Sequence, residues 1–586
     1  MRRSFRRHKN QVEQLGLQTE DTIEKHFFKR FDRLVNVRRF VTAWVVFCVF
    51  LIGAVLAQTG ALTKYYKTNV PAAGGTFTEG ILGSFTNANP IYATGPVDGA
   101  ISRLIFAGLL KYDAKNQLVG DLAEEWAIDT TETVYTVKLK QDLKWQDGEP
   151  LTAADVVFTY KTIQTPDARS PLFNSWQGIT IEAKDDRTVV FTLPGVLSSF
   201  QYGLTTGIVP KHKLETIPAA QLRATQFNTS APVGAGPFTW DAIEVATEDR
   251  AQQGRIGLRQ NEHYHAGKPA LQRFVVRYFT DQKQLVESFE KHELTAVSGL
   301  DTFPESFAKD NSISQYSIPV TAQVMVFFKT SQEVLSDVKV RQALVQAVDR
   351  RQIVDGIGYP IIASNQPFLP GHPGYDKSVS QLLFDQKAAE TLLDQAGWIK
   401  GADGFRQKNG KQLAFSLYSQ STSEYAYVTQ KLQADWSKIG VKVDVLLQPD
   451  SDLQTTVTGH NYDALLYGIS LGIDPDVYAY WGSTQADERA ANRVNFSEYR
   501  STTADRALEA GRTRTDGSLR AVKYKPFLDA WRNDAPALAL YQPRYLYVTR
   551  DAVHGFDPTT INSASDRYAN VSQWKIRQQS VDKISQ

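Results

Sequence analysis

The chain has 586 residues, 42% of them hydrophobic, 22% charged and 11% aromatic, with a single cysteine. That length exceeds one ordinary core and predicts about two to four domains. The composition excludes a disordered, collagen-like or disulfide-scaffold protein, and one cysteine excludes internal disulfides and cysteine-based zinc sites.

The net charge of +2 is unevenly spread. Residues 1–69 hold 13 Lys/Arg against 5 Asp/Glu, and the remainder holds 52 against 58. A mildly acidic body argues against a nucleic-acid-binding surface there. The basic excess flanks one apolar stretch, Phe40–Ala57, 18 residues without a charge. That is near the lower length for a transmembrane helix. Eleven Lys/Arg precede it, and only Lys64 and Lys67 follow closely. The positive-inside rule therefore keeps the N-terminus in the cytoplasm and exports the body. A cleaved signal peptide is the alternative, and Val55-Leu56-Ala57 offers a small-residue cleavage pattern. The charged lead of 39 residues is too long for an ordinary signal, so an uncleaved anchor is expected. Arg2-Arg3-Ser4-Phe5 lies too far ahead of the apolar run for a twin-arginine signal, and Cys48 is read as a small hydrophobe of the helix. Ile23, Phe27, Phe31 and Leu34 share one helical face among basic residues, a pattern for an anionic membrane surface or a plain basic helix.

From Gly74 short strands alternate with helices. Thr133–Leu139 and Thr188–Leu193 alternate as strands, and Asp185-Asp186 makes a turn. Thr152–Thr162 starts on an N-cap Thr and reads as a helix. Asp337–Asp355 is predicted as one helix. Lys387–Ala396 ends at Gly397 and Tyr425–Ile439 ends at Gly440, both C-cap signals, and the strand Val441–Val445 follows. The class is mixed α/β.

Local motifs give little chemistry. Gly468-Ile469-Ser470-Leu471-Gly472 spells a nucleophile elbow, but Asp474-Pro475 follows too soon for the required helix. His263 and His265 have no third metal ligand in view. Gly234-Ala235-Gly236-Pro237 lacks the lysine and spacing of a phosphate loop and reads as a tight turn. No enzyme, metal or cofactor is predicted.

One long stretch is specific. Gly108–Lys161 resembles the signature region of family 5 extracellular solute-binding proteins, the oligopeptide- and dipeptide-binding type that feed ABC transporters. Further segments agree in order: Ile208–His212, Pro232–Phe238, Asn261–Tyr264, Val340–Arg350, Ala388–Trp398, Trp436–Val445 and Pro536–Pro543. The resemblance covers roughly residues 74–575.

The resemblance implies a two-lobed, periplasmic-binding-protein-like α/β fold with an extra subdomain in lobe I, preceded by a single transmembrane helix. On that reading residues 1–39 are a cytoplasmic tail, 40–57 the membrane helix and 58–73 a tether. Residues 74–110, 228–320 and 536–586 form lobe I, 111–227 its extra subdomain and 321–535 lobe II. The chain would cross between lobes near Ser317–Thr330 and Pro536–Tyr547. It also implies capture of peptides or similar solutes and their delivery to an ABC permease. A sensor using the same cleft with a signalling partner is the alternative. Carried over, the ligand-binding residues are Thr94, Gly95 and Pro96 on one wall and Gly468, Ile469, Ser470 and Leu471 on the other. Tyr541 lines the cleft or packs in the core, and Trp481 borders a side-chain pocket or packs likewise. In peptide-binding relatives an aspartate three positions before the acidic-Pro pair receives the peptide ammonium. Here that position is Leu471, which implies an uncharged ligand end there unless Asp474 or Asp476 takes over.

Overall fold

The computed structural model describes residues 38–248, 251–490, 493–550 and 553–582. The basic tail and its apolar stripe lie outside the described residues. Arg38–Tyr66 is one helix of 29 residues. Its stretch Phe40–Gly60, mean hydropathy 2.6, is long and apolar enough to cross a membrane. Phe40, Phe47, Phe50 and Leu56 are exposed on it rather than packed in a core. The expected tether over 58–73 is instead ordered. The helix continues to Tyr66, and Lys67–Ala72 pairs as a strand with Arg577–Asp582. The physical reason lies in the sequence after Ala57. Ala61, Leu62 and Lys64 are good helix formers and favour continuation of the helix.

Residues 73–577 form a separate unit of mixed α/β structure. A seven-stranded sheet runs Ile313–Pro319, Arg544–Arg550, Ala296–Ser298, Thr76–Leu82, Arg273–Phe279, Ala251–Gln260 and Phe238–Glu248. Its central strand Thr76–Leu82 is parallel to both neighbours. A four-stranded sheet, Ala123–Ile128, Val134–Leu139, Thr188–Thr192 and Thr180–Ala183, shares one continuous apolar core with it: Phe77, Phe274, Tyr135 and Phe191 belong to the same buried cluster.

A six-stranded sheet runs Ile362–Ala363, Ala537–Gln542, Ala322–Phe328, Ala464–Ser470, Ala414–Gln420 and Lys442–Gln448. Its strand Ala322–Phe328 is an unbroken apolar run from Val324 onward because both faces are covered. Val324, Val326 and Phe328 enter one core, while Met325 and Phe327 enter another.

Local signals set the helices. Thr152 caps Ala153–Ile163, with the Asp155 carboxylate accepting from the Thr152 N–H at 2.9 Å. Gly397 and Gly440 end their helices at φ of +82° and +80°. The helix expected over Asp337–Asp355 is two helices, Val338–Gln346 and Arg350–Asp355. Asp349 breaks it, because its carboxylate accepts from the Arg351 N–H and so caps a new start. Gly234 and Gly236 pack against the backbone of Ile105, where a Cβ on Gly234 would lie 2.1 Å from the Ile105 oxygen. The turn therefore admits only glycine.

The chain leaves the seven-stranded sheet at Pro319 and enters the six-stranded sheet at Ala322. It returns between Gln542 and Arg544. The passage back falls at Pro543, because Ala537–Gln542 pairs with Ala322–Phe328.

Candidate functional site

The two passages between sheets run side by side. The Val320 N–H donates to the Pro543 carbonyl at 3.2 Å, and the Gln542 amide donates to the Val320 carbonyl at 2.9 Å. Thr321 stands at the centre. Its N–H donates to the Ile561 carbonyl at 2.8 Å and its hydroxyl to Asn562 Oδ1 at 2.7 Å. Its carbonyl accepts from the N–H groups of Leu471, at 2.8 Å, and Gly472, at 3.1 Å. The crossing is thereby wired to the end of the strand Ala464–Ser470.

Beyond Gly472 the Asp474-Pro475-Asp476 turn is held by two arginines. Arg520 reaches Asp474 at 2.5 Å, with both side chains buried, and Arg512 reaches Asp476 at 2.5 Å. Burial works to lower the affinity of Arg520 for its proton, but hydrogen bonding and charge from Asp474 outweigh it and the net shift is upward. Burial raises the Asp476 carboxyl above its ordinary range in spite of Arg512. Each aspartate is thus charge-paired with an arginine, while the Oδ1 of Asp476, which lines the cavity described below, has no hydrogen-bond partner among the described residues.

The residues expected from sequence divide sharply. Thr94 and Pro96 are exposed and Gly95 is half-buried, at the start of the helix Pro96–Ile105. Pro96 occupies the first turn, where its missing N–H has no helical partner to lose. Asp98 ties this start to Thr86 and Asn87. Gly468 is half-buried and Ser470 exposed, whereas Ile469 and Leu471 enter the core by the two-residue period of the strand. A Cβ at Gly468 would lie 3.1 Å from the Tyr425 hydroxyl. Among the described residues, no hydrogen bond joins the Thr94–Pro96 segment to Gly468–Leu471.

Trp481 does not border a pocket. It is fully buried, stacked on Phe327 with ring centroids 5.7 Å apart and edge-on to Trp531. Tyr541 does not line open space either. It is fully buried and its hydroxyl donates to Glu424 at 2.6 Å; burial and that carboxylate push the phenol far up. Tyr541 falls on a core-facing register of a two-sided sheet and Trp481 ends the short helix Tyr478–Trp481 packed on that sheet, and no local pattern reveals either.

The motifs set aside in the sequence stay without chemistry. Ser470 ends its strand with no helix directly after it; the next is Tyr478–Trp481. His265 pairs with the buried Asp121 at 3.0 Å while His263 is exposed, and no group of three or more metal-ligating side chains occurs among the described residues.

A cavity of about 710 Å³ lies elsewhere, between the segment Asn174–Gly203 and the segment Asp476–Thr513. Trp176, Leu193, Pro194 and Phe200 give one wall an apolar surface. Asp476, Gln485, Glu509 and Arg512 give the other polar groups. At its edge the walls touch: the Ser198 N–H donates to the Arg512 carbonyl at 3.3 Å, and the Thr515 hydroxyl meets Glu132 at 2.6 Å. Size, an apolar face and a few convergent polar groups suit a small organic solute. Sequence reading missed this cavity, since its walls lie some 300 residues apart; the one signal was Leu193-Pro194-Gly195, a strand end opening into a loop.

Comparison with known proteins fits this geometry. Residues 117–492 match the family described as bacterial extracellular solute-binding proteins, family 5 Middle. The chain belongs to that family. The oligopeptide-binding protein AppA of Bacillus subtilis (strain 168) is 26% identical over 541 residues, 90% of this chain and 97% of that one. The crystal structure of this solute-binding protein's relative NikZ from Campylobacter jejuni, in complex with Ni(L-His), is 26% identical. It superposes with a TM-score of 0.74 over 86% of this chain and 99% of the other. The Bacillus subtilis AppA structure, in complex with a nonapeptide, is 25% identical, with a TM-score of 0.72 over 87% and 100%. The family and these relatives are binding proteins, and the periplasmic-binding-protein fold accounts for the mixed α/β architecture of this one.

Proposed function

We propose that the chain is a membrane-anchored, extracytoplasmic receptor that captures peptides or similar solutes and hands them to an ABC permease. The seven- and four-stranded sheets then form lobe I with its extra subdomain, and the six-stranded sheet forms lobe II. The two adjacent passages at Val320-Thr321 and Pro543 act as a hinge. The observation that carries the reading is the cavity walled by residues on both sides of that hinge. Closing such a cleft expels water and strengthens every polar contact inside it. The helix Phe40–Gly60 is the anchor, with the basic tail in the cytoplasm.

The relatives AppA and NikZ are described with a nonapeptide and with Ni(L-His), so fold alone does not choose the solute. Leu471 is buried and apolar, and Asp474 and Asp476 are both paired with arginines. With both carboxylate charges already balanced, that wall favours a solute end without a free ammonium.

The test is native mass spectrometry of the full chain, purified in detergent from its own cells. A bound solute released on unfolding supports the proposal. A chain that is empty, and stays empty when incubated with a peptide digest, overturns it.

A further inference from the structure

Within the cavity three charged side chains meet: Asp476, Arg512 and Glu509. Two of them cancel, with Arg512 on Asp476 at 2.5 Å, and the same guanidinium covers the Tyr478 ring at 4.6 Å from its centroid. Glu509 lies one turn before Arg512 on the helix Thr502–Arg512 and faces the same space. Among the described residues its carboxylate makes no hydrogen bond or ion pair. The segment Asn174–Gly203 lines the same cavity with Leu193, Pro194, Val196 and Phe200 beside a few uncharged polar side chains, and brings no charge to it. A carboxylate that shares a cavity with uncharged apolar side chains recognises an aliphatic stem that ends in a cation, since the stem takes the apolar cover and the head takes the charge.

We infer that Glu509 is a specificity-determining residue of the solute cleft and receives a flexible cationic arm of the kind a lysine side chain carries. The inference rests on the solute-capture reading above. It is distinct from any ammonium site at Leu471, where both carboxylates of the turn are charge-paired with arginines. Among the charged side chains lining the cavity, Asp476 and Arg512 neutralise each other, which leaves the Glu509 carboxylate available to a solute.

The experiment is titration calorimetry on the full chain in detergent at low salt. The probes are two end-blocked peptides, acetyl-Ala-Lys-Ala-amide and acetyl-Ala-Met-Ala-amide, so that only the side chain differs. The lysine peptide is expected to bind about tenfold tighter, equal to about 1.4 kcal/mol. Glu509→Gln, an isosteric change on an exposed side chain, is expected to bring the two within about twofold. Gly195→Trp tests the cavity itself. A Cβ at Gly195 meets no heavy atom within 4 Å, so the indole has room and obstructs the cavity it lines. It is expected to weaken both peptides. Peptides that bind with no lysine preference, or a preference that survives Glu509→Gln, overturn the role of Glu509 alone. Affinities that Gly195→Trp leaves untouched, or peptides that do not bind at all, overturn the cavity as the solute site and the role of Glu509 with it.

Discussion

Arg520 lies 2.5 Å from Asp474, with the two side chains only 2% and 8% exposed, across 46 residues of chain. The pair holds the turn that follows the strand Ala464–Ser470, two residues before Asp476 of the cavity lining. Removing one partner leaves the other charge buried without compensation, which costs roughly 3–5 kcal/mol. Arg520→Met should lose that much in urea unfolding of the full chain. Pairing it with Asp474→Asn should recover a large part, because no lone charge then remains. Equal loss in the single and double variants would show that shape rather than charge governs the turn.

His372 gives a pH prediction from the same region. It is buried, its Nδ1 accepts from the Leu369 N–H at 3.1 Å, and burial lowers its pKa to about 4. The unfolded chain binds a proton near pH 6.5 and the folded chain does not. Stability is therefore full above about pH 6.5, falls as the pH drops, and stops falling below the folded pKa. The expected loss across that window is of order 3 kcal/mol. His372→Gln should flatten this part of the stability-pH curve, read from thermal melts between the two limits. An unchanged slope would place the titration elsewhere.

Gly234→Ala should destabilise more than a methyl group suggests. The new Cβ would sit 2.1 Å from the Ile105 oxygen and 2.8 Å from its carbonyl carbon, and backbone cannot rotate out of the way. Overpacking against side chains costs about 1–3 kcal/mol, and a backbone clash exceeds the upper end of that range. Denaturant midpoints of Gly234→Ala and, as a comparison, Gly195→Ala make the check. The second position is open and should change by less than about 0.5 kcal/mol.

What the sequence could disclose follows from range. Thr152 with Asp155, Gly397 and Gly440 are local signals, and each marks its helix end in the structure. Asp349 was legible in principle, since an acidic residue before two arginines can cap a helix as well as ride within one. The family motifs carried the fold because they recur in order over most of the body. Tyr541 and Trp481 were undecidable: a buried aromatic beside a cleft and one within a core share the same neighbours in sequence. The Arg512–Asp476 and Arg520–Asp474 pairs span 36 and 46 residues, so no spacing rule announces them. The cavity is further still from view, because a strand end near Leu193 meets a helix near Glu509 only after the chain has crossed between sheets.

The crossing itself yields the last prediction. Thr321 is the residue where the first passage, the C-terminal segment and the end of the strand Ala464–Ser470 converge, through five backbone and side-chain bonds. Three of these use its backbone and survive a change of side chain. The other two come from the hydroxyl: a long one to the Ile561 carbonyl at 3.5 Å and the principal one to Asn562 Oδ1 at 2.7 Å, and Asn562 in turn donates to Asn116 Oδ1 at 2.7 Å. Thr321→Val keeps the shape and deletes only the hydroxyl, so the loss is chiefly that of one buried hydrogen bond, about 1–2 kcal/mol. Asn562→Ala should cost more, because it also strands the Asn116 amide. A double-mutant cycle on unfolding free energies should then give a coupling of about 1 kcal/mol between the two positions, since they share one bond. Additive effects would mean that Asn562 acts on the loop at Asn116 rather than on the crossing.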